Sequence, residues 1–140
     1  MKILKSSFII MLMAITLFAC KAQPNEAQIP ENTNSEEIQI YYFHNTKRCA
    51  TCNAVENETR IALEMFYAEK LKAGEMEFTS INIQEDEGKK MAKTLRISGQ
   101  TLLIVKGEKQ VNLTNEGFMN ARTNPTNFHE IIKEQIDKLL

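Results

Sequence analysis

The spacing of apolar side chains changes period several times between residues 38 and 140, and each change marks an element. Ile38 to His44 is dense in Ile, Tyr and Phe over the length of one strand, the pattern of a strand buried on both faces. From Asn53 to Ala73 no Pro or Gly intervenes, and Val55, Ile61, Ala62, Met65, Phe66 and Ala68 recur at helical spacing, with Gly74 placed as a C-cap. Such a face packs on a sheet. Met76, Phe78, Ile81 and Ile83 mark a second strand. Asp86 to Arg96 reads as a short charged helix with Met91, Ala92 and Leu95 inward and the cluster Glu85-Asp86-Glu87 solvated at its start. Leu102 to Val105 is a third strand, Lys106 to Lys109 a tight turn, and Gln110 to Leu113 a short fourth strand. An irregular stretch from Thr114 to Thr126 leads to a last helix carrying Phe128, Ile131, Ile132, Ile136 and Leu139, for which Asn127 and Glu130 are placed as a capping pair. The order β-α-β-α-β-β-α predicts an α/β domain of three layers, α/β/α. Crossovers join its parallel strands, and its last two strands form a hairpin in a four-stranded mixed sheet.

Ahead of this domain, Lys2 and Lys5 precede the apolar run Phe8 to Phe18, and small Ala19 stands directly before Cys20. The run is too short to span a bilayer and has the order of a secretory signal. Leu17-Phe18-Ala19-Cys20 resembles the lipobox of bacterial lipoproteins, which implies cleavage before Cys20 and a lipid on it; an ordinary cleaved signal is the plainer alternative. Residues 21 to 37 are rich in Pro, Asn, Gln, Glu and Ser, too polar to offset the entropy of ordering, and are expected to form a flexible tether with a reach of roughly 20–25 Å. The expected organisation is a lipoprotein signal over 1–19, a tether from lipidated Cys20 over 20–37, and one domain over 38–140. The signal holds two of the 17 Lys/Arg and none of the 18 Asp/Glu, so 15 cations face 18 anions after cleavage. That mildly acidic balance gives no footprint for nucleic acid.

Chemistry concentrates at Cys49-Ala50-Thr51-Cys52, which follows the first strand and leads into the long helix. Unpaired N–H groups and the positive end of a helix dipole favour a thiolate, the attacking species, over a thiol. With lipid on Cys20, these two are the remaining thiols of an exported chain and form one local pair rather than a disulfide framework. Three readings compete. Redox exchange needs an exposed thiolate and a second thiol in reach, which two intervening residues supply. Binding of a soft metal or metalloid needs further ligands, to which His44 or His129 could contribute one. A structural disulfide would close a very short loop. Met65, Met76, Met91 and Met119 are expected as core filler, and His129 at the surface. Gly117-Phe118-Met119, Tyr41 and Tyr42 are candidates to line the dithiol, with packing as the default for each.

The CxxC at the first strand-to-helix junction, with Gln100-Thr101-Leu102-Leu103-Ile104-Val105-Lys106-Gly107-Glu108, resembles the thioredoxins, in which the latter segment runs from the cis-proline into the hairpin. The run Tyr41 to Glu56 is also similar to small lipoproteins described as subunits of nitrophenyl-compound nitroreductases. The thioredoxin resemblance implies that Cys49 attacks and Cys52 resolves, without a cofactor beyond the dithiol; a metal enters only under the binding-module alternative. Three departures stand out. Arg48 occupies the family's Trp position and, with Lys47, should favour the Cys49 thiolate, opposed by Glu56 and Glu58 in the first helical turn. Gln100 replaces the cis-proline, so its peptide should be trans, thioredoxin-style substrate docking is put in doubt, and a ring that keeps metal from the thiolates is lost. The family's buried Asp is missing, Tyr42 or Phe43 standing in its place, which leaves His44 as the nearest proton acceptor. The chain is therefore expected to be a membrane-tethered thiol:disulfide oxidoreductase or electron-relay subunit of the bacterial cell envelope. Its expected partner is a protein or small-molecule disulfide or thiol, and the membrane is met through the lipid on Cys20. The motif leaves the direction of electron flow open.

Overall fold

The computed structural model describes residues 36–140, so the signal, Cys20 and nearly all of the expected tether lie outside the described residues. Strands β1 (Ile38–His44), β2 (Met76–Asn82), β3 (Thr101–Lys106) and β4 (Lys109–Asn112) alternate with helices α1 (Ala50–Ala73) and α2 (Asp86–Thr94). They are followed by α3 (Thr114–Asn120) and α4 (Pro125–Asp137). The sheet order is β2-β1-β3-β4, with β1 parallel to β2 and antiparallel to β3, and β3 antiparallel to β4. This is the expected three-layer α/β architecture with a mixed sheet, plus one additional helix.

Strand alternation divides the core in two. Ile38, Ile40 and Tyr42 point with Leu102 and Ile104 towards α1, α3 and α4, where Val55, Leu63, Phe128, Ile132 and Ile136 close the larger core. Tyr41 and Phe43 point the other way, onto Ile81 and the Ala92 face of α2. Helix α1 lies across the sheet on Cys52, Val55, Thr59, Ala62, Leu63 and Tyr67. Met65, expected inward, is 60 % exposed. The helical stripe is centred on Thr59 and Leu63 instead, because the Thr59 hydroxyl donates to the Val55 carbonyl at 2.7 Å and so enters the core without an unmet polar group. Gly74 ends α1 in the left-handed region (φ 74°), with its N–H and that of Glu75 returning to Leu71 and Lys70.

Several boundaries depart from the sequence pattern, among them the end of α2 at Thr94 rather than Arg96 and β4 at Lys109–Asn112 rather than Gln110–Leu113. Helix α1 begins at Ala50 rather than Asn53, which draws Cys52 into the helix. The stretch expected to be irregular contains α3, on which Gly117 packs so closely that a Cβ there would lie 3.1 Å from Val55 and 3.2 Å from Phe128. Helix α4 is capped by Asn124, whose side chain accepts from the Asn127 N–H at 3.3 Å; Pro125 at the first helical position fixes that start, and the Asn127–Glu130 pair is not the cap. Met119 is 72 % exposed on α3 and is not core filler, whereas Met76 is buried and Met91 packs against the α2 core.

Candidate redox site

Cys49 and Cys52 are joined as a disulfide, with Cα atoms 5.1 Å apart, at the junction of β1 and α1. Cys49 is the N-cap of α1, and its sulfur accepts the Cys52 backbone N–H at 3.1 Å. A sulfur at this position meets one of the helix's unpaired donors, so negative charge is stabilised there. Cys49 is exposed, while Cys52, one turn on and facing the sheet, is 2 % exposed. The two sulfurs of one motif thus occupy opposite environments, one open and polar, one closed.

Gln100 meets the closed sulfur. The antiparallel register pairs Phe43 with Thr101, which brings the residue before β3 alongside the end of β1 and over α1's first turn. The Gln100 side-chain oxygen lies 3.1 Å from Cys52 Sγ. No cis peptide occurs among the described residues, in line with the expectation for Gln100. His44 closes β1, and its Nδ1 lies 3.0 Å from the Asn45 carbonyl, a local hydrogen bond that commits one ring nitrogen to the backbone. His129 is not a surface residue. It is largely buried between α4 and α1, with Nε2 2.8 Å from a Glu58 oxygen. Among the described residues no group of three or more His, Cys, Asp and Glu is arranged to hold a metal ion.

Arg48 does not stand free beside Cys49. Its guanidinium pairs with Glu56 and lies over the Tyr42 ring, 5.6 Å from the centroid. The other Glu56 oxygen accepts from Arg60 at 3.1 Å, and Arg60 in turn stacks on Phe78 at 4.5 Å. Burial alone would push the Glu56 carboxyl up; hydrogen bonds from Arg48 and Arg60 outweigh it and hold the group below its usual range. Tyr42 is shifted up by burial, against the opposing pull of the Arg48 charge. The Tyr42 hydroxyl, the Arg48 Nε and the Ser80 hydroxyl are buried there without a hydrogen-bond partner. With α1 starting at Ala50, no acid lies in its first turn. Glu56 and Glu58, expected to oppose a Cys49 thiolate from that turn, lie beyond it and are engaged by Arg48, Arg60 and His129. The role of Arg60 escaped the sequence reading, although its i,i+4 spacing from Glu56 was the available signal. Of the other candidate lining residues, Tyr42 adjoins Arg48, Tyr41 faces the α2 core, and Gly117 is taken up by packing.

The strand order is that of a thioredoxin-like α/β fold, with a CxxC disulfide at its first strand-to-helix junction. No protein-family model matches the chain, and no curated protein does. Among solved structures it is similar to the thioredoxin of Fasciola hepatica, at 18% identity over 72% of this chain and 83% of that one, with a TM-score of 0.42. It is also similar to a malarial protein, at 13% identity over 53% of this chain and 74% of that one, with a TM-score of 0.39. At these levels neither likeness bears on the chemistry.

Proposed function

We propose that the chain is a thiol:disulfide oxidoreductase or electron-relay subunit of the bacterial cell envelope, tethered through a lipid on Cys20. The reduced Cys49 thiolate attacks a partner disulfide, and Cys52 resolves the mixed disulfide that results. The observation that carries this reading is the asymmetry of the pair: Cys49 is open and receives a helix N–H, whereas Cys52 is sealed beside it. An inert structural disulfide has no need of an exposed sulfur at a helix start, and reactivity follows thiolate character and access.

Single-turnover exchange of the reduced protein with a model disulfide tests the assignment. Cys49→Ser should abolish turnover, while Cys52→Ser should accumulate a stable mixed disulfide visible by mass spectrometry. Equal trapping by both single variants, or turnover that survives Cys49→Ser, would remove the assigned roles. Stoichiometric metal on the anaerobically purified protein, with no exchange, would replace this reading with that of a binding module.

A further inference from the structure

A groove of about 520 Å³ opens on residues that flank the CxxC in sequence, lined by Arg48, Asn53, Ala54, Glu56, Asn57 and Arg60. Its charged part is a triad in which one carboxylate serves two guanidinium groups, Glu56 accepting from Arg48 through one oxygen and from Arg60 through the other. Two cations on one anion leave a positive excess, and the remaining polar lining is the side-chain amides of Asn53 and Asn57. Each guanidinium also rests on an aromatic ring, Arg48 on Tyr42 and Arg60 on Phe78. Groups already held in place lose little freedom when an anion arrives, and a guanidinium with five N–H donors keeps some unspent after one carboxylate contact. Neither cysteine lines the groove, and its link to the reactive sulfur runs through the chain itself. Arg48 precedes Cys49, and the Asn53 N–H donates to the Cys49 carbonyl at 3.1 Å.

We infer that this groove is a subsite for the carboxylate of a low-molecular-weight disulfide whose acid group lies a few bonds from its sulfur; the inference rests on the redox reading above. Its volume falls in the range of small-molecule sites. In the step it serves, the Cys49 thiolate attacks the nearer sulfur of the disulfide, the Cys49–substrate S–S bond forms, and one substrate thiolate leaves. Cys52 then loses its proton to solvent and attacks the Cys49 sulfur. The second substrate thiolate departs and the Cys49–Cys52 disulfide remains, both electrons having come from the reduced protein. The carboxylate held by Arg48 and Arg60 sets which sulfur faces Cys49.

The test is stopped-flow single turnover of the chain, reduced and freed of reductant, with anionic dithiodipropionate, neutral hydroxyethyl disulfide and cationic cystamine at one ionic strength. Rates for free mercaptoethanol with the same three compounds supply the intrinsic order. The anionic-to-neutral rate ratio should exceed that of the free thiol by about fivefold, the scale of one solvent-exposed ion pair. The cationic-to-neutral ratio for cystamine should fall below that of the free thiol. Arg60→Gln should return the ratio close to the free-thiol value, and Lys72→Gln, a cation at the far end of α1, should leave it where the wild type has it. An unchanged ratio in Arg60→Gln, or an equal fall in Lys72→Gln, would overturn the subsite while leaving the redox reading intact. Failure to exchange with any of the three would overturn the redox reading, and this inference with it.

Discussion

Gln100 and the start of α1 act on the two sulfurs in opposite senses. The Cys49 sulfur accepts an N–H at 3.1 Å, which favours its anion. Cys52 faces a carboxamide oxygen at 3.1 Å, and on reduction its S–H finds that acceptor, which favours the neutral thiol; burial adds in the same direction. The alkylation-rate midpoint of Cys49 should therefore fall below the ordinary value of about 8.5, and that of Cys52, measured with Cys49→Ser, should lie above it. Gln100→Ala removes the acceptor. A hydrogen bond worth about 1 kcal/mol corresponds to about fivefold more Cys52 thiolate, partly offset by the lower nucleophilicity of a more acidic thiol. The mixed disulfide should then resolve roughly two- to threefold faster. A slower resolution in Gln100→Ala would mean that the amide N–H groups, not the oxygen, face the sulfur. The positions of Cys49 and Cys52 were legible because motif spacing is a local property of the chain, and that of Gln100 because the resemblance to thioredoxins places the residue before this strand opposite the CxxC. That Arg48 pairs with Glu56 was not legible, since it depends on how the β1–α1 loop folds back over the helix.

At the scale of elements, the strands and long helices followed their hydrophobic periods, and the missed helix α3 falls where a tertiary contact overrode a local signal. Helix α3 carries Gly117 at its centre, ordinarily a sign of a loop, yet the glycine is there because Val55 and Phe128 leave no room for a side chain. Arg96, after α2, adopts φ 58° where glycine is usual, and the Ile97 N–H still closes onto the Ala92 carbonyl at 2.7 Å. No pattern of apolar residues encodes that ending. For α4 the signal was present but displaced, because Asn124-Pro125 is itself a helix start. Asn124→Ala should cost about 1 kcal/mol of stability in urea unfolding, the usual worth of an N-cap. Asn127→Ala should cost clearly less, since its side chain makes only an exposed contact with Asn120 at 3.2 Å. The reverse order would move the cap back to the position expected from sequence.

Across the whole molecule, β1 fixes a direction. The chain enters the fold at Ile38 and reaches the dithiol just beyond His44, so the seven-residue strand separates entry from sulfur by roughly 20 Å at the usual rise per residue. If a lipid on Cys20 and a tether reaching roughly 20–25 Å precede that entry, the dithiol can reach up to about 40 Å from the bilayer surface. Anchor and chemistry should then be separable. Cys20→Ala should move the protein from a salt-resistant membrane fraction to the soluble one. The purified variant should exchange with hydroxyethyl disulfide within about twofold of the wild-type rate, as distant sites behave independently. Retention of Cys20→Ala in salt-washed membranes would show that something other than the lipid holds the chain there, and a soluble wild type would remove the anchor altogether. A large loss of exchange in the soluble variant would instead mean that the domain's chemistry depends on residues ahead of Ile38.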